Sequence, residues 1–319
     1  MIGGADRFSN RLLHCKSVDK PEIIIITGPT ASGKSALAVE LAQRLGTEVV
    51  SADSRQIFRH IPIATAMPTA EERAAVRHHL IDFLEPEEYY SAALFADDAR
   101  RIIGDVAART GTAVVCGGSM MYLDALVNGI DEFPTVPDDL RRNRAEEHRR
   151  HGDDYLRMRL LALDPEYYHR VDLLNMKRVF HAVEISLAAG APYSSLIGKP
   201  RPESPFRFRK FLTVWPREQL FDRINRRVDL MVQQGLEEEA RRMYPLRHLN
   251  SLNTVGLREM FAYFDGTMDF PSAVARIGKN TRVYAKKQMT WHKRDPQLIP
   301  LDMTAPNPIE TILESLMQQ

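Results

Sequence analysis

The chain has 319 residues, 44% of them hydrophobic and 27% charged, and its 43 Lys and Arg against 42 Asp and Glu give a formal net charge of +1. Such a balance is typical of a globular protein and decides neither for nor against a nucleic-acid partner. The two cysteines do not suggest a disulfide framework, and without a signal-peptide pattern or a long apolar run we expect a cytoplasmic protein with no membrane partner.

The first elements follow an α/β pattern. Residues 1–20 are expected to form a loosely ordered extension, and Ile23–Ile26 is a short apolar run of the kind that forms a buried strand. A helix is expected from Ala36 to Leu45, with Gly46 at its end, and Glu48–Ala52 is expected to form a second strand.

A phosphate-binding pattern lies between the first strand and the first helix. The residues are GPTASGKS, the G-x-x-x-x-G-K-[ST] pattern, whose glycines let backbone N–H groups close around phosphate oxygens. Lys34 adds a positive charge, the Ser35 hydroxyl suits Mg²⁺, and the helix points the positive end of its dipole at the same anion. We therefore expect a site for a diphosphate or polyphosphate that is made by Gly28, Pro29, Thr30, Ala31, Ser32, Gly33, Lys34 and Ser35.

Further strands extend the predicted sheet. Ser91 is placed to cap a long helix over Ala92–Arg109, Thr112–Cys116 is expected to form a third buried strand, and Phe211–Trp215 a fourth. Strands separated by helices indicate a parallel sheet covered on both faces, with the site on loops at the carboxyl ends of the strands. The predicted fold class is therefore α/β, a P-loop NTPase-like parallel sheet flanked by helices.

An inserted all-helical domain is predicted in the middle of the chain. Residues 136–207 are strongly charged and follow a helical pattern, including a helix over Met176–Ala189 that Asn175 is placed to cap. The α/β core then comprises residues 21–135 and 208–300, and residues 301–319 are expected to form a C-terminal tail.

Polar residues directly follow the second and third strands. Asp53 suits either a carboxylate that holds Mg²⁺ through water or a general base that faces the attacking group. Ser54, Arg55 and Gln56 suit recognition of a base edge, although a plain surface turn also explains them. The segment 117–119 (GGS) is either a strand-to-helix turn or a loop that brings the Ser119 hydroxyl near the phosphate loop.

Two basic stretches lie on helices expected in the C-terminal part of the chain. Arg223, Arg226 and Arg227 form either a solvated charged face or a group of which one reaches a diphosphate. Between Arg276 and Arg294 the chain has seven Lys or Arg and no Asp or Glu, interleaved with aromatic residues. This second stretch is either a solubilising helix or a face for a nucleic-acid backbone with unstacked bases nearby.

Eight segments of the chain resemble the tRNA dimethylallyltransferase (isopentenyltransferase) family. They occur in the order of the family and cover about residues 21–296. The segments are GPTASGKS, VVSADSRQIF, HHLIDF, GGSMMYLDALVNGID, NMKRVFHAVE, LFDRINRRVDLMVQQGLEEEA, LNTVGLREM and NTRVYAKKQMTWHKRD.

This resemblance implies a monomeric enzyme whose phosphate loop grips the diphosphate of dimethylallyl diphosphate with Mg²⁺. The dimethylallyl group would move to the exocyclic amine of the adenosine at tRNA position 37, next to the anticodon. The implied catalytic residues are Asp53 as the general base, Ser119 beside the reacting groups and Arg223 near the diphosphate.

The resemblance also implies a surface that contacts the tRNA anticodon stem-loop. Several positions depart from the commonest residues of the family, including Met67, His181, Leu257 and His292, so tRNA recognition is where a difference is expected. The implied tRNA contacts are Asp53, Ser54, Arg55, Gln56, Ser119, Arg141, Lys177, Arg178, Val179, Phe180, His181, Asn253, Thr254, Val255, Gly256, Leu257, Arg258, Lys286, Lys287, Gln288, Trp291 and Lys293.

Three alternatives explain part of the sequence. A small-molecule or nucleoside kinase would need the phosphate loop and Asp53 but not the basic C-terminal helix. An isopentenyltransferase that acts on free AMP or ADP would share the core without the tRNA-contacting stretches. A non-catalytic RNA-binding regulator would not need Lys34, Ser35 and Asp53, all of which are present.

Overall fold

The fold is built on a six-stranded parallel sheet. The computed structural model describes residues 20–131, 133–199 and 203–318, so nearly all of the extension expected at residues 1–20 lies outside the described residues. The strands lie in the order β3-β2-β4-β1-β5-β6. Their bounds are β1 Glu22–Thr27, β2 Val49–Ser51, β3 His78–His79, β4 Ala113–Gly117, β5 Arg207–Val214 and β6 Leu298–Asp302.

Helices connect and cover these strands. None of the helices in the described ranges is both long enough and apolar enough to cross a membrane. Their bounds are α1 Lys34–Leu45, α2 Pro62–Thr65, α3 Ala70–Ala75, α4 Ala92–Thr110, α5 Met120–Asn128, α6 Asp138–Leu163, α7 Pro165–Arg170, α8 Met176–Ala189, α9 Arg217–Gln233, α10 Leu236–Met243, α11 Leu257–Phe264, α12 Phe270–His292 and α13 Pro308–Met317.

Apolar layers lie on both faces of the sheet, which confirms the predicted fold class. Strand β1 alternates between the faces, because Ile24 and Ile26 pack with α1 and α13 while Ile23 and Ile25 pack with α4 and α5. All four isoleucines are at most 1% exposed. A run of β-branched residues buried on both sides is the pattern expected of a central parallel strand.

Two predicted helix caps are present. The Ser91 hydroxyl accepts a hydrogen bond from the Leu94 N–H at 3.2 Å, and the Asn175 side chain accepts one from the Arg178 N–H at 3.4 Å. Gly190 follows α8 in the left-handed conformation, with φ of 63°. These bonds satisfy N–H groups that the first turn of a helix leaves without acceptors.

One sequence-based expectation for the C-terminal part is wrong. Gly235, with φ of 97°, separates α9 from α10. The tail expected at residues 301–319 begins inside β6, which pairs with β5, and it contains α13. The helix contributes Ile309, Ile312 and Leu313 to the core against α1, so this segment belongs to the α/β unit.

The described residues form two compact units. One comprises the described residues up to Asn128 and from Ser204 onwards, and the other is Gly129–Glu203, whereas the inserted domain was predicted at 136–207. The second unit has its own small core, in which Leu156 and Leu160 of α6 pack with Val179 and Val183 of α8.

Candidate active site

The phosphate loop has the backbone geometry that its glycines allow. Gly28 and Gly33 have φ of 150° and 89°, and Ala31 is also left-handed, with φ of 64°. A Cβ atom on Gly28 would lie 2.0 Å from Thr213 Oγ1, so a side chain there would clash with β5. The loop therefore needs glycine at position 28 for both conformation and space.

Residues of β5 and of the segment after it hold the loop from one side. Ser32 is fully buried, and its hydroxyl is 2.6 Å from Thr213 Oγ1. The Trp215 indole N–H donates to the Ser32 carbonyl at 2.9 Å, and the Lys34 ammonium donates to the Pro29 carbonyl at 3.0 Å. These bonds preform the loop, which lowers the entropy lost when an anion binds.

The loop and the carboxyl ends of β2 and β4 enclose a cavity of about 80 Å³. The predicted Mg²⁺ ligand Ser35 and the predicted base Asp53 line this same cavity together with Lys34. The remaining lining residues are Thr30, Ala38, Val49, Ser51, Gln56, Thr65, Ala66, Pro68, His78, Ile81, Cys116, Gly117, Gly118, Arg227, Tyr284 and Gln288.

Asp53 is held by the turn that follows β2. Its Oδ1 atom accepts hydrogen bonds from the backbone N–H groups of Arg55, at 2.9 Å, and Gln56, at 3.3 Å. The carboxylate is thus oriented by its own chain while it lines the cavity. A group held in this way can orient an amine and accept its proton without rearranging.

Ser119 connects the segment after β4 with the segment after β2, and it does not line the cavity. Its hydroxyl accepts a hydrogen bond from the Ser54 N–H at 3.1 Å, and its own N–H donates to the Ala52 carbonyl at 3.2 Å. It is 9% exposed. A Cβ atom on Gly117 would lie 2.1 Å from the same carbonyl, so glycine is required where β4 passes the end of β2.

The three arginines of α9 have different surroundings. Arg227 lines the cavity, and its guanidinium donates to the Thr30 hydroxyl at 3.2 Å. Arg223 is not among the described lining residues; its Nε donates to the Ala31 carbonyl at 2.9 Å and its guanidinium lies 4.5 Å from the Trp215 ring centroid. Arg226 is exposed and paired with Asp222. The diphosphate contact that was predicted for Arg223 is therefore better assigned to Arg227.

Two partly buried cations, Lys34 and Arg227, line the cavity. Burial lowers the pKa of Lys34 below its ordinary value, and the Arg227 charge adds to this effect, while Cys116 and Asp53 oppose it. Burial likewise lowers the pKa of Arg227 and raises the pKa of the Cys116 thiol to about 11. Two desolvated cations beside one carboxylate are best compensated by an anionic ligand, because burying an unpaired charge is costly.

Three predicted tRNA contacts in the α/β unit have internal partners. The Arg55 guanidinium donates to the carbonyls of Asn250 and Ser251, at 2.9 and 2.8 Å. The Gln56 amide donates to the carbonyls of Thr65 and Ala66, at 3.2 and 3.0 Å. The amide of Gln288, which is 2% exposed, is also bonded inside the protein.

Other predicted tRNA contacts divide by exposure. Leu257 and Gly256 are buried, so the prediction is wrong if it means that the Leu257 side chain contacts tRNA directly. Ser54, Thr254, Val255 and Trp291 are half-buried, and the exposed members are Asn253, Arg258, Lys286, Lys287 and Lys293.

In the second unit, the predicted contacts lie on α6 and α8. Lys177, Arg178 and His181 are exposed, whereas Val179 is fully buried in the core of this unit and cannot touch RNA. Arg141 is half exposed, and its Nε lies 3.9 Å from Glu184 Oε1. Phe180 is half-buried.

Sequence reasoning missed some residues of the cavity. His78 and Ile81, from the segment that includes β3, line the cavity, although the HHLIDF sequence by itself indicates no role for them. Tyr284 lines it too, and burial raises the pKa of its hydroxyl to about 12. The aromatic residues between the bases of α12 were the signal that could have placed Tyr284 there.

Comparisons with known proteins give one consistent result. Residues 56–295 match the family described as IPP transferase. The chain is 46% identical over 277 residues to tRNA dimethylallyltransferase 1 of Phocaeicola vulgatus, covering 87% of this chain and 92% of that relative. It is 44% identical over 297 residues to tRNA dimethylallyltransferase 2 of Parabacteroides distasonis, covering 93% and 98%.

Solved structures agree in fold. The full-length tRNA isopentenylpyrophosphate transferase of Bacillus halodurans is similar, with a TM-score of 0.70, 32% identity and coverage of 93% of this chain and 96% of that one. A eukaryotic dimethylallyltransferase acting on tRNA has a TM-score of 0.77 at 24% identity, with coverage of 88% and 74%, and at that identity it supports the fold alone.

Proposed function

The chain belongs to the IPP transferase family, and on that premise we propose that it is a tRNA dimethylallyltransferase. It transfers the dimethylallyl group from dimethylallyl diphosphate to the exocyclic amine of the adenosine at tRNA position 37, next to the anticodon, and releases diphosphate. The observation that carries this proposal is one cavity lined by the preformed phosphate loop, by Lys34 and Arg227, and by the Asp53 carboxylate.

The chemistry requires stabilisation of the leaving group. The amine of a purine is a poor nucleophile because its lone pair is delocalised into the ring. The bond between the allylic carbon and the diphosphate oxygen must therefore weaken early, and positive charge develops on the allylic carbon. Loop N–H groups, Lys34 and Arg227 stabilise the growing negative charge on the diphosphate, and their fixed positions remove the cost of reorganisation.

Asp53 completes the reaction on the other reactant. As the new bond between nitrogen and carbon forms, the amine loses a proton, and we propose that the Asp53 carboxylate accepts it. The backbone N–H groups of Arg55 and Gln56 hold Oδ1 in place during this transfer. Ser119 orients the segment that carries Asp53, through its bond with the Ser54 N–H, and we propose a supporting role for it.

We propose that Mg²⁺ accompanies the diphosphate. The Ser35 hydroxyl lines the cavity, and a few protein oxygen atoms together with substrate phosphates and waters are the usual Mg²⁺ environment. Ser35 fits the ion, which would supply charge neutralisation on the diphosphate oxygens when bound.

We propose that exposed basic residues bind the tRNA backbone, while the target adenosine leaves its stack to enter the cavity. Extrusion of a base costs a few kcal/mol, which contacts in the pocket offset. The proposed backbone contacts are Arg141, Lys177, Arg178, Arg258, Lys286, Lys287 and Lys293. Recognition of the anticodon stem-loop, a monomeric state and a cytoplasmic location stay predictions.

Transfer of labelled dimethylallyl from its diphosphate to unmodified tRNA tests the proposal. Wild type should label tRNA, and Asp53→Ala should lower the rate ~100-fold or more, the usual contribution of a general base. Asp97→Ala is the matched control, since Asp97 lies on α4 with its side chain 78% exposed.

Other outcomes assign other functions. Label on AMP but not on tRNA would place the chain with the free-nucleotide enzymes. Phosphate transfer from ATP without prenyl transfer would indicate a kinase, and tRNA binding without any transfer would indicate a regulator.

A further inference from the structure

Gln288 of helix α12 is predicted as a tRNA contact, but it is 2% exposed. Its Oε1 atom accepts a hydrogen bond from the Thr30 N–H in the phosphate loop, at 2.9 Å. Its Nε2 atom donates to the Gly118 carbonyl in the loop after β4, at 2.8 Å. An N–H can only donate and a carbonyl can only accept, so these partners fix which way the amide points.

Gly118 is shaped for this contact. A Cβ atom added to Gly118 would lie 2.4 Å from Gln288 Nε2. Its backbone is not in the left-handed region, so the close approach of the amide, and not an unusual φ, is what requires glycine here. A substitution at either Gln288 or Gly118 should therefore disturb this one contact.

The same helix presents a basic face to solvent. Lys286 and Lys287 are exposed on α12 within two residues of Gln288 in the chain, and Lys293, also exposed, directly follows the helix. One turn after Gln288, the buried His292 ring lies 3.4 Å from Thr27 Oγ1 at the end of β1. Burial, with the nearby Lys34 charge, lowers the pKa of His292 to about 4, so this contact involves a neutral ring.

We propose that Gln288 is a positioning residue that sets the spacing of the two loops around the diphosphate, so that RNA binding on α12 strengthens diphosphate binding. This inference rests on the proposed function, because it takes the basic face of α12 as the RNA contact. Helix α12 carries both the basic face and the two loop contacts of Gln288, so a change in its position on RNA binding would reach both loops.

Binding of inorganic diphosphate with Mg²⁺ tests the positioning role without any need for prenyl transfer. Gln288→Met keeps the side-chain size and removes both hydrogen bonds, and we expect affinity for diphosphate to fall roughly 10-fold. Gly118→Ala should weaken binding similarly, and the double variant should be less than additive because both changes break one contact. Gln233→Met, at an exposed position of α9, should bind as wild type does.

The coupling is tested by repeating the titration with an unmodified anticodon stem-loop RNA present. Wild type should bind diphosphate more tightly with RNA than without it, and folded Gln288→Met should lose this difference while RNA binding alone stays within a few-fold. Wild-type diphosphate affinity in both folded variants, or equal coupling in Gln288→Met, would overturn the inference. If these binding effects are observed but wild type transfers no prenyl group, the proposed function is refuted while the positioning role of Gln288 is supported.

Discussion

The arginines of α9 provide the sharpest test of the site, because three of them occur within five residues and have three different surroundings. Arg227 lines the cavity, Arg223 donates to the Ala31 carbonyl of the phosphate loop, and Arg226 is exposed and paired with Asp222. We predict that Arg227→Ala lowers kcat far more than Arg223→Ala does, and that Arg226→Ala has almost no effect.

The magnitudes follow from these contacts. Arg227 lines the cavity in which we propose that negative charge develops, and loss of one such preorganised donor costs about 3–4 kcal/mol, or 10²–10³-fold in kcat. Arg223 contributes one bond to the Ala31 carbonyl and one stacking contact with Trp215, together worth roughly 2 kcal/mol. Its loss should loosen the loop and raise KM for the diphosphate substrate, roughly 10-fold, more than it lowers kcat.

Steady-state prenyl transfer measured at saturating tRNA, with the diphosphate substrate varied, separates these effects. Thermal unfolding of each variant gives the control for folding, since Arg223→Ala should also destabilise the protein modestly. A kcat for Arg227→Ala within 3-fold of wild type, with a large loss in Arg223→Ala, would show that the assignment of Arg227 to the diphosphate is wrong.

Three further predictions concern stability and the separation of the two units. Hydrogen bonds from Arg109 and His79 lower the pKa of Glu48 to about 2, so the stability that its carboxylate contributes is complete above pH 4.5 and is lost as pH falls towards 2. In urea titrations over this interval, the free energy of unfolding of wild type should fall by roughly 1–2 kcal/mol more than that of Glu48→Gln, and equal losses would refute this contribution. Ile312→Ala in α13 should lower the free energy of unfolding in urea by about 2–5 kcal/mol, whereas Met317→Ala, at an exposed position, should lower it by under ~0.5 kcal/mol. Similar values for the two variants would show that this segment is a tail outside the core. Leu156→Ala should weaken tRNA binding but leave affinity for inorganic diphosphate unchanged, and an equal loss of both would contradict separate units.

Local sequence patterns were sufficient for the central elements. The run Ile23–Ile26 is apolar on both faces and is bounded by a glycine-containing loop, and it lies within β1. Ser91 and Gly111 bound a helix whose length differs from the expected one by a single residue. Each of these signals acts over a few residues, so tertiary contacts did not override them.

The edge of the sheet could not be predicted in the same way. Strand β6 has only five residues and includes Pro300, which lacks the N–H that a ladder requires, so its sequence argues against a strand. The structure accommodates it because β6 is the last strand and pairs only with β5. Likewise β3 is two residues long, too short to give a periodic signal.

In the site, as in the fold, residues close together in the chain could be predicted from the sequence and distant ones could not. The phosphate loop and the proposed base Asp53 lie within 26 residues of one another in the chain and have a recognisable spacing. The groups that hold that loop, including Thr213, Trp215 and Gln288, lie more than 180 residues away and have no spacing of their own. Because a phosphate loop binds through backbone N–H groups, its affinity depends on backbone position, and that position is set by these distant partners. Substitutions at the partners should therefore change diphosphate binding in a chain whose GPTASGKS motif is intact.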